Sequence, residues 1–194
     1  MHIPVFLRVL GLLVLLPLAG VGTARKPSAQ EPAAAPLSLE VDLSERVLIA
    51  YVGDEQVDTF PVAVGQPSYP TPKGSYHVGR VVWNPRWIPP DSKWAKKKKP
   101  TAPGDPNNPM GRVKMYFLYP DYYIHSTPDE DSLGKAESHG CIRMRTSDAI
   151  DLAQLVMDHG GQVRDKSWFE KVLDHFRTTR KVDLTDPVPL EIHS

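Results

Sequence analysis

The sequence predicts a mainly β domain with one or two helices packed on it near the C-terminal end. Three observations carry that prediction. From Leu37 onward apolar residues recur at every second position, the period of a half-buried strand. Twenty prolines and thirteen glycines punctuate the 194 residues, which favours turns and strands over helix bundles. Helical spacing of apolar side chains is confined to two late segments.

The elements follow in order. Leu37, Leu39, Val41 and Leu43 alternate with polar residues, and Ser44-Glu45-Arg46 makes a turn. Residues 47–52 form a second strand, Gly53-Asp54-Glu55 a turn, and residues 57–64 a third strand, together a β-meander. Pro70-Thr71-Pro72-Lys73-Gly74 is a strong turn signal, followed by a strand over 75–82. Residues 83–110 then read as a long loop with seven prolines, three tryptophans (Trp83, Trp87, Trp94) and four consecutive lysines. A loop this long inside a compact domain is usually functional. Two further strands occupy 113–119 and 122–126, joined at Pro120-Asp121.

Thr146 suits a helix N-cap, with Asp148 and Asp151 in the first turn. Ala149, Leu152, Ala153 and Val156 mark one helical face, and Gly160-Gly161 ends it. Residues 167–177 predict a second helix, with Trp168, Val172 and Phe176 at helical spacing. A short strand over 188–192 closes the chain.

The N-terminus reads as a cleaved export signal over 1–24, with an uncleaved inner-membrane anchor, helped by apolar residues from Ile3 onward, as the alternative. Arg8 precedes an apolar run of 13 residues at 9–21, short for a bilayer span, and Gly22 and Ala24 place small residues before a cut. Residues 25–36 are a Pro/Ala-rich linker. Lysine plus arginine and aspartate plus glutamate number 23 each, so the charge balance offers nothing to nucleic acid. Length and composition suit one globular domain, and a monomer is expected.

Cys141 is the only cysteine, so it has no intrachain partner in an oxidising compartment. An unpaired thiol there is reactive or forms an intermolecular bond. His139 and Arg143 flank it, which disfavours a packing role, and Gly140 is expected to leave backbone amides free to face a developing oxyanion. His125, 16 residues upstream at the end of a strand, is the candidate base. No carboxylate is obvious as its orienting partner, and a backbone carbonyl such as that of Ser126 could fill the role. Arg143 could grip a substrate carboxylate or favour the thiolate, or be an ordinary surface arginine. The Trp-rich loop could form a lid, and the lysines at 96–99 read as a solvated run. His125, His139 and Cys141 lack the paired spacings of strong zinc sites, so no metal or other cofactor is expected.

Ile124-His125-Ser126-Thr127 followed by Ser138-His139-Gly140-Cys141-Ile142-Arg143-Met144 resembles the signature of the L,D-transpeptidase (YkuD-type) catalytic domain. Val64-Gly65, residues 70–74 and Asn108-Pro109-Met110-Gly111 are similar to that family as well, and the resemblance covers about residues 37–160. The tail over 168–192 is more weakly similar to larger members. The resemblance implies a β-sandwich-like catalytic domain over 37–164 with a helix after the cysteine, then a C-terminal helix and short strand over 165–194. It implies that Cys141 attacks the L,D bond of a peptidoglycan tetrapeptide stem, with His125 as base and the Ser126 carbonyl orienting it. His139, Gly140 and Arg143 fall at its oxyanion and substrate positions. Many members have glycine where this chain has Ser126.

Three functions remain open at this point. One is a periplasmic transpeptidase that passes the acyl group to an amine, on another stem or on a protein to be attached to the wall. Another is a hydrolase using the same thioester with water as acceptor. The last is a wall-binding module without turnover.

Overall fold

The computed structural model describes residues 35–194. The export signal and all but the last two residues of the linker lie outside the described residues. Nine strands run in chain order: β1 (Leu37–Asp42), β2 (Val47–Val52), β3 (Glu55–Gly65), β4 (Gly74–Trp83), β5 (Val113–Leu118), β6 (Tyr122–Ser126), β7 (Ala136–Ser138), β8 (Ile142–Met144) and β9 (Arg180–His193). Two helices, α1 (Thr146–His159) and α2 (Lys166–Asp174), lie between β8 and β9.

The strands form one sheet in the order β2-β1-β9-β4-β5-β6-β8-β3-β7, and a further β2–β3 pairing bends it back on itself like a barrel. Closure leaves few open edges for another chain to pair with. The predicted meander β1–β2–β3 is present as antiparallel neighbours. Strand β3 serves three partners along its length, the last being β7 at Val64 and Gly65. Its first half pairs with β2, while Val62 and Ala63 pair with β8.

The C-terminal strand corrects the sequence reading. It spans 14 residues, not five, and runs between β1 and β4 near the middle of the sheet. Val182, Leu184, Val188, Leu190 and Ile192 are its buried face. The exposed Asp186 and the adjacent Pro187 break the alternation, and the charged start Arg180-Lys181 hides the rest. At that break the N–H groups of Thr185 and Asp186 donate to the Gly160 carbonyl at 3.0 and 3.2 Å, which satisfies the C-terminal end of α1.

The core lies between the curved sheet and α1. Leu152, Val156 and Met157 of α1 are wholly buried against β-sheet side chains, and truncating Leu152 to alanine would cost about 2–5 kcal/mol. Helix α1 is capped by the backbone of Arg145, not by the Thr146 side chain, and Asp148 alone of the two aspartates lies in its first turn. Asp165 does cap α2, its carboxylate accepting the Trp168 N–H at 2.8 Å. That helix stops at Asp174 because the buried Asn84 amide takes the carbonyls of Val172 (2.7 Å), His175 and Thr178. Phe176 therefore falls beyond the helix. Trp83 is also reassigned. It ends β4 and is fully buried, with its indole N–H on the Met157 sulfur at 3.3 Å.

Candidate active site

Strands β6 and β8 are parallel neighbours, with Ile124 opposite Ile142, His125 opposite Arg143 and Ser126 opposite Met144. Side chains alternate faces along a strand. Ile124, Ile142 and Met144 are in the core. Tyr123, His125, Cys141 and Arg143 fall on the opposite face and line one cavity of ≈ 780 Å³. Cys141 lies one residue before β8, level with Tyr123. Strand spacing and rise put its Cα roughly 8 Å from that of His125, on the same face of the sheet.

His125 is 2% exposed. Its Nδ1 lies 2.8 Å from the Ser126 carbonyl oxygen. A carbonyl only accepts, so Nδ1 carries the proton and Nε2 presents a lone pair. Burial holds the imidazole down to about 4, against the pull of the Ser126 bond and with help from the charges of Arg143 and Lys114. The ring is therefore neutral at pH 7 and able to take a proton.

Burial likewise pushes the Cys141 thiol up to about 11. The Tyr123 backbone N–H, Arg143 and Lys114 oppose that rise without cancelling it. The thiol donates to the Asp121 carbonyl at 3.3 Å. Thiol and imidazole are thus both neutral at pH 7, a state in which any attack by the sulfur requires a base to take its proton.

The turn over 138–141 sets the cysteine's backbone. Gly140 has φ +104°, and a Cβ there would lie 2.7 Å from the Tyr122 ring, so only glycine fits. The Ser138 hydroxyl accepts the Gly140 N–H at 3.0 Å and donates to the Cys141 carbonyl at 2.5 Å. The Gly140 amide is consequently engaged rather than free for an oxyanion, because Ser138 folds back onto it. The N–H groups of His139 and Cys141 have no acceptor among the described residues. These are the donors available to a negative oxygen beside the sulfur.

His139 does not face His125 as a second base. Its ring stacks on Trp94, centroids 4.0 Å apart and planes 20° from parallel, and meets Tyr69 at 4.9 Å. Burial, Arg143 and Lys98 lower its pKa. Arg143 pairs with Asp129 at 3.3 Å. Its guanidinium therefore enters the cavity partly neutralised.

The loop between β4 and β5 covers residues 84–112 and forms the far wall of the cavity through Trp87, Trp94, Lys98 and Lys99. It is internally built. Trp87 and Thr101 pair across a bridge, and the buried Asn108 amide donates to the carbonyls of Pro85 (2.7 Å) and Ala102 (3.1 Å). The lysines at 96–99 are exposed as expected, and two of them stand at the cavity mouth. The loop returns to the sheet at Ser126, whose hydroxyl accepts the N–H groups of Arg112 (2.6 Å) and Val113 (3.0 Å) and donates to the Met110 carbonyl (3.0 Å). Sequence reasoning missed Ser138, Tyr69, Asp129 and Lys114. The Ser-x-Gly spacing of Ser138 and Gly140 was a visible signal for the first. The others reach the site only through strand pairing and loop folding.

A family model described as the YkuD L,D-transpeptidase catalytic domain matches residues 36–183. YkuD of Bacillus licheniformis is 32% identical over 130 residues, covering 67% of this chain and 66% of that protein. ErfK/SrfK of Escherichia coli is 34% identical over 118 residues, covering 56% of this chain and 37% of that protein. Both carry L,D-transpeptidase names. Among solved structures, the chain is similar to L,D-transpeptidase 3 of Mycobacterium tuberculosis, with TM-score 0.51 and 18% identity over 83% of this chain and 62% of that one. An Enterococcus faecium L,D-transpeptidase aligns with TM-score 0.52 and 16% identity, over 81% and 50%. The matched stretch spans about two thirds of the Bacillus relative and about a third of the Escherichia one.

Proposed function

The chain belongs to the YkuD L,D-transpeptidase catalytic domain family, and we propose that it is an exported cysteine L,D-transpeptidase acting on peptidoglycan tetrapeptide stems. One observation carries the reading. Cys141 and His125 line the same face of one cavity, with the imidazole's Nδ1 held by the Ser126 carbonyl and its Nε2 free to accept.

Each residue then has a step. As the Cys141 sulfur attacks the carbonyl of the L,D bond, His125 Nε2 takes the thiol proton. The N–H groups of His139 and Cys141 hold the oxyanion. When the tetrahedral centre collapses, the C–N bond breaks and the terminal D-alanine leaves with the proton from His125. A thioester remains. An acceptor amine attacks it, His125 takes the amine proton, and the returning sulfur regains it as the new amide forms. Cys141, His125 and Ser126 carry the reaction, with His139, Arg143 and the turn at Gly140 shaping the site. The acceptor is the side-chain amine of a second stem, giving a 3→3 cross-link, or an amine on a protein to be joined to the wall. Export to the periplasm rests on the apolar segment 9–21 and the small residues Gly22 and Ala24.

The test incubates the purified chain with disaccharide-tetrapeptide and a D-amino acid, beside Cys141→Ala, and follows products by mass spectrometry. Exchange of the terminal D-alanine or dimer formation, absent in the variant, is the expected result. Tripeptide alone would make water the acceptor and the enzyme a carboxypeptidase. Equal turnover by Cys141→Ala would remove the thioester mechanism.

A further inference from the structure

Strand registers place a row of outward-facing residues across the sheet, starting from the thiol. Cys141 is level with Tyr123 on β6. Tyr123 pairs with Tyr116 on β5, Tyr116 with Arg80 on β4, and Arg80 with Asp183 on β9. Paired residues on neighbouring strands share a face. The side chains make the row continuous. Tyr123 and Tyr116 meet edge to face at 4.8 Å, and Tyr119 tilts against Tyr116 at 5.8 Å. Arg80 and Asp183 form an exposed ion pair. Tyr119 is 75% exposed, the most exposed large apolar side chain described.

An exposed ring beside a paired guanidinium and carboxylate is suited to a sugar. Ring C–H groups pack on the aromatic face, and hydroxyls exchange hydrogen bonds with the charged pair. The distance from the thiol fits. Neighbouring strands are about 4.8 Å apart, so Tyr116 is about 10 Å from the Cys141 end of the row. Three extended residues span about 10 Å. On the reading of the preceding subsection, three stem residues separate the attacked carbonyl from the saccharide.

We propose that Tyr119, Tyr116, Arg80 and Asp183 form a subsite for the saccharide at the N-terminal end of the donor stem. The row is continuous with the candidate active site and ends on its nucleophile. Lys114 Nζ lies over the Tyr116 ring at 4.8 Å and the Tyr123 ring at 4.5 Å, so Tyr119 supplies the open aromatic face of the row. The subsite makes the enzyme prefer stems still attached to glycan over free tetrapeptide.

The experiment measures binding by calorimetry to the full chain carrying Cys141→Ala. The ligands are disaccharide-tetrapeptide and the same tetrapeptide without sugar. The expected result is tighter binding of the glycosylated stem by about fivefold or more. Adding Tyr119→Ala, at an exposed position that leaves the core untouched, removes that advantage and leaves free-tetrapeptide affinity within about twofold. Equal affinity for the two ligands overturns the subsite. A sugar advantage that survives both Tyr119→Ala and Arg80→Ala overturns its placement. Turnover of the two ligands by the unsubstituted chain is read separately. Turnover with no binding preference sinks the subsite and leaves the transpeptidase reading standing. A preference with no turnover of either ligand does the reverse.

Discussion

The carbonyl oxygen of Ser126 lies 2.8 Å from Nδ1 of His125, while the hydroxyl of Ser126 accepts the N–H groups of Arg112 and Val113. One residue thereby orients the His125 imidazole and anchors the end of the loop that walls the cavity. Replacing Ser126 with alanine keeps the carbonyl and strands two backbone donors. The expected loss of stability is about 1–3 kcal/mol, read from denaturant melts. The pH profile of kcat/KM should be unchanged, since the bond to Nδ1 persists. A shifted profile would mean that the hydroxyl acts on His125 directly.

Thiol chemistry should follow the burial of Cys141. Thiolate is the nucleophile toward a small neutral alkylating agent, and the folded thiol titrates at about 11. The alkylation rate should rise with pH beyond the ordinary thiol range and stay low at pH 7. A plateau already reached below pH 7 would show a preformed thiolate–imidazolium pair instead.

His125 should also mark the acid stability of the protein. Its folded pKa, about 4, lies below the unfolded value of 6.5. Between those values the unfolded state binds more protons, so stability rises with pH there and is lost as pH falls through the window. The loss approaches on the order of 3 kcal/mol below pH 4. Melting temperatures from pH 7 to 4 should fall less steeply in His125→Gln than in the unsubstituted chain. Parallel curves would show that other groups govern the acid limb.

Gly140→Ala forces a Cβ against the Tyr122 ring at a positive φ. Relief of that contact must move either the ring or the turn that carries Cys141. The expected outcome is a fall of about 100-fold or more in acylation rate, from misplacement of the sulfur and its neighbouring N–H donors. Stopped-flow acylation with a reactive thioester or ester would read it, and near-normal acylation would show that the turn tolerates the methyl group.

Trp94→Ala removes the ring stacked on His139. Such a contact is worth about 0.5–1.5 kcal/mol. KM for the tetrapeptide stem should rise about three- to tenfold with kcat held within about twofold. A loss confined to kcat would place Trp94 in the chemical step rather than in the cavity wall.

Much of this molecule was legible from local pattern. Residues 47–52 and 122–126 form strands with the predicted bounds, because a strand with one buried face shows its period in sequence. Helix α1 was visible for the same reason at period 3.6. Cys141 and His125 stood out by composition and resemblance. The sequence reading failed where a non-local partner decided the outcome. The first half of β9 is charged and precedes two prolines, and only pairing with β4 draws it into the sheet. Trp83 looks like its loop neighbours until Met157, Trp168 and Phe169 enclose it. The Gly140 amide looked free, and the Ser138 hydroxyl two residues away takes it.

The candidate pair Cys141 and His125, the mainly β class and the helix after Cys141 followed from the sequence by itself, since each depends on residue identity or on neighbours within one turn or strand. Closure of the sheet, the level of Cys141 beside Tyr123, the donors left to an oxyanion and the row from Tyr123 to Asp183 were decided by tertiary structure. Those features depend on register between strands distant in sequence. Register is set by how buried faces pack together, and a one-residue slip would have turned every one of these side chains to the other face.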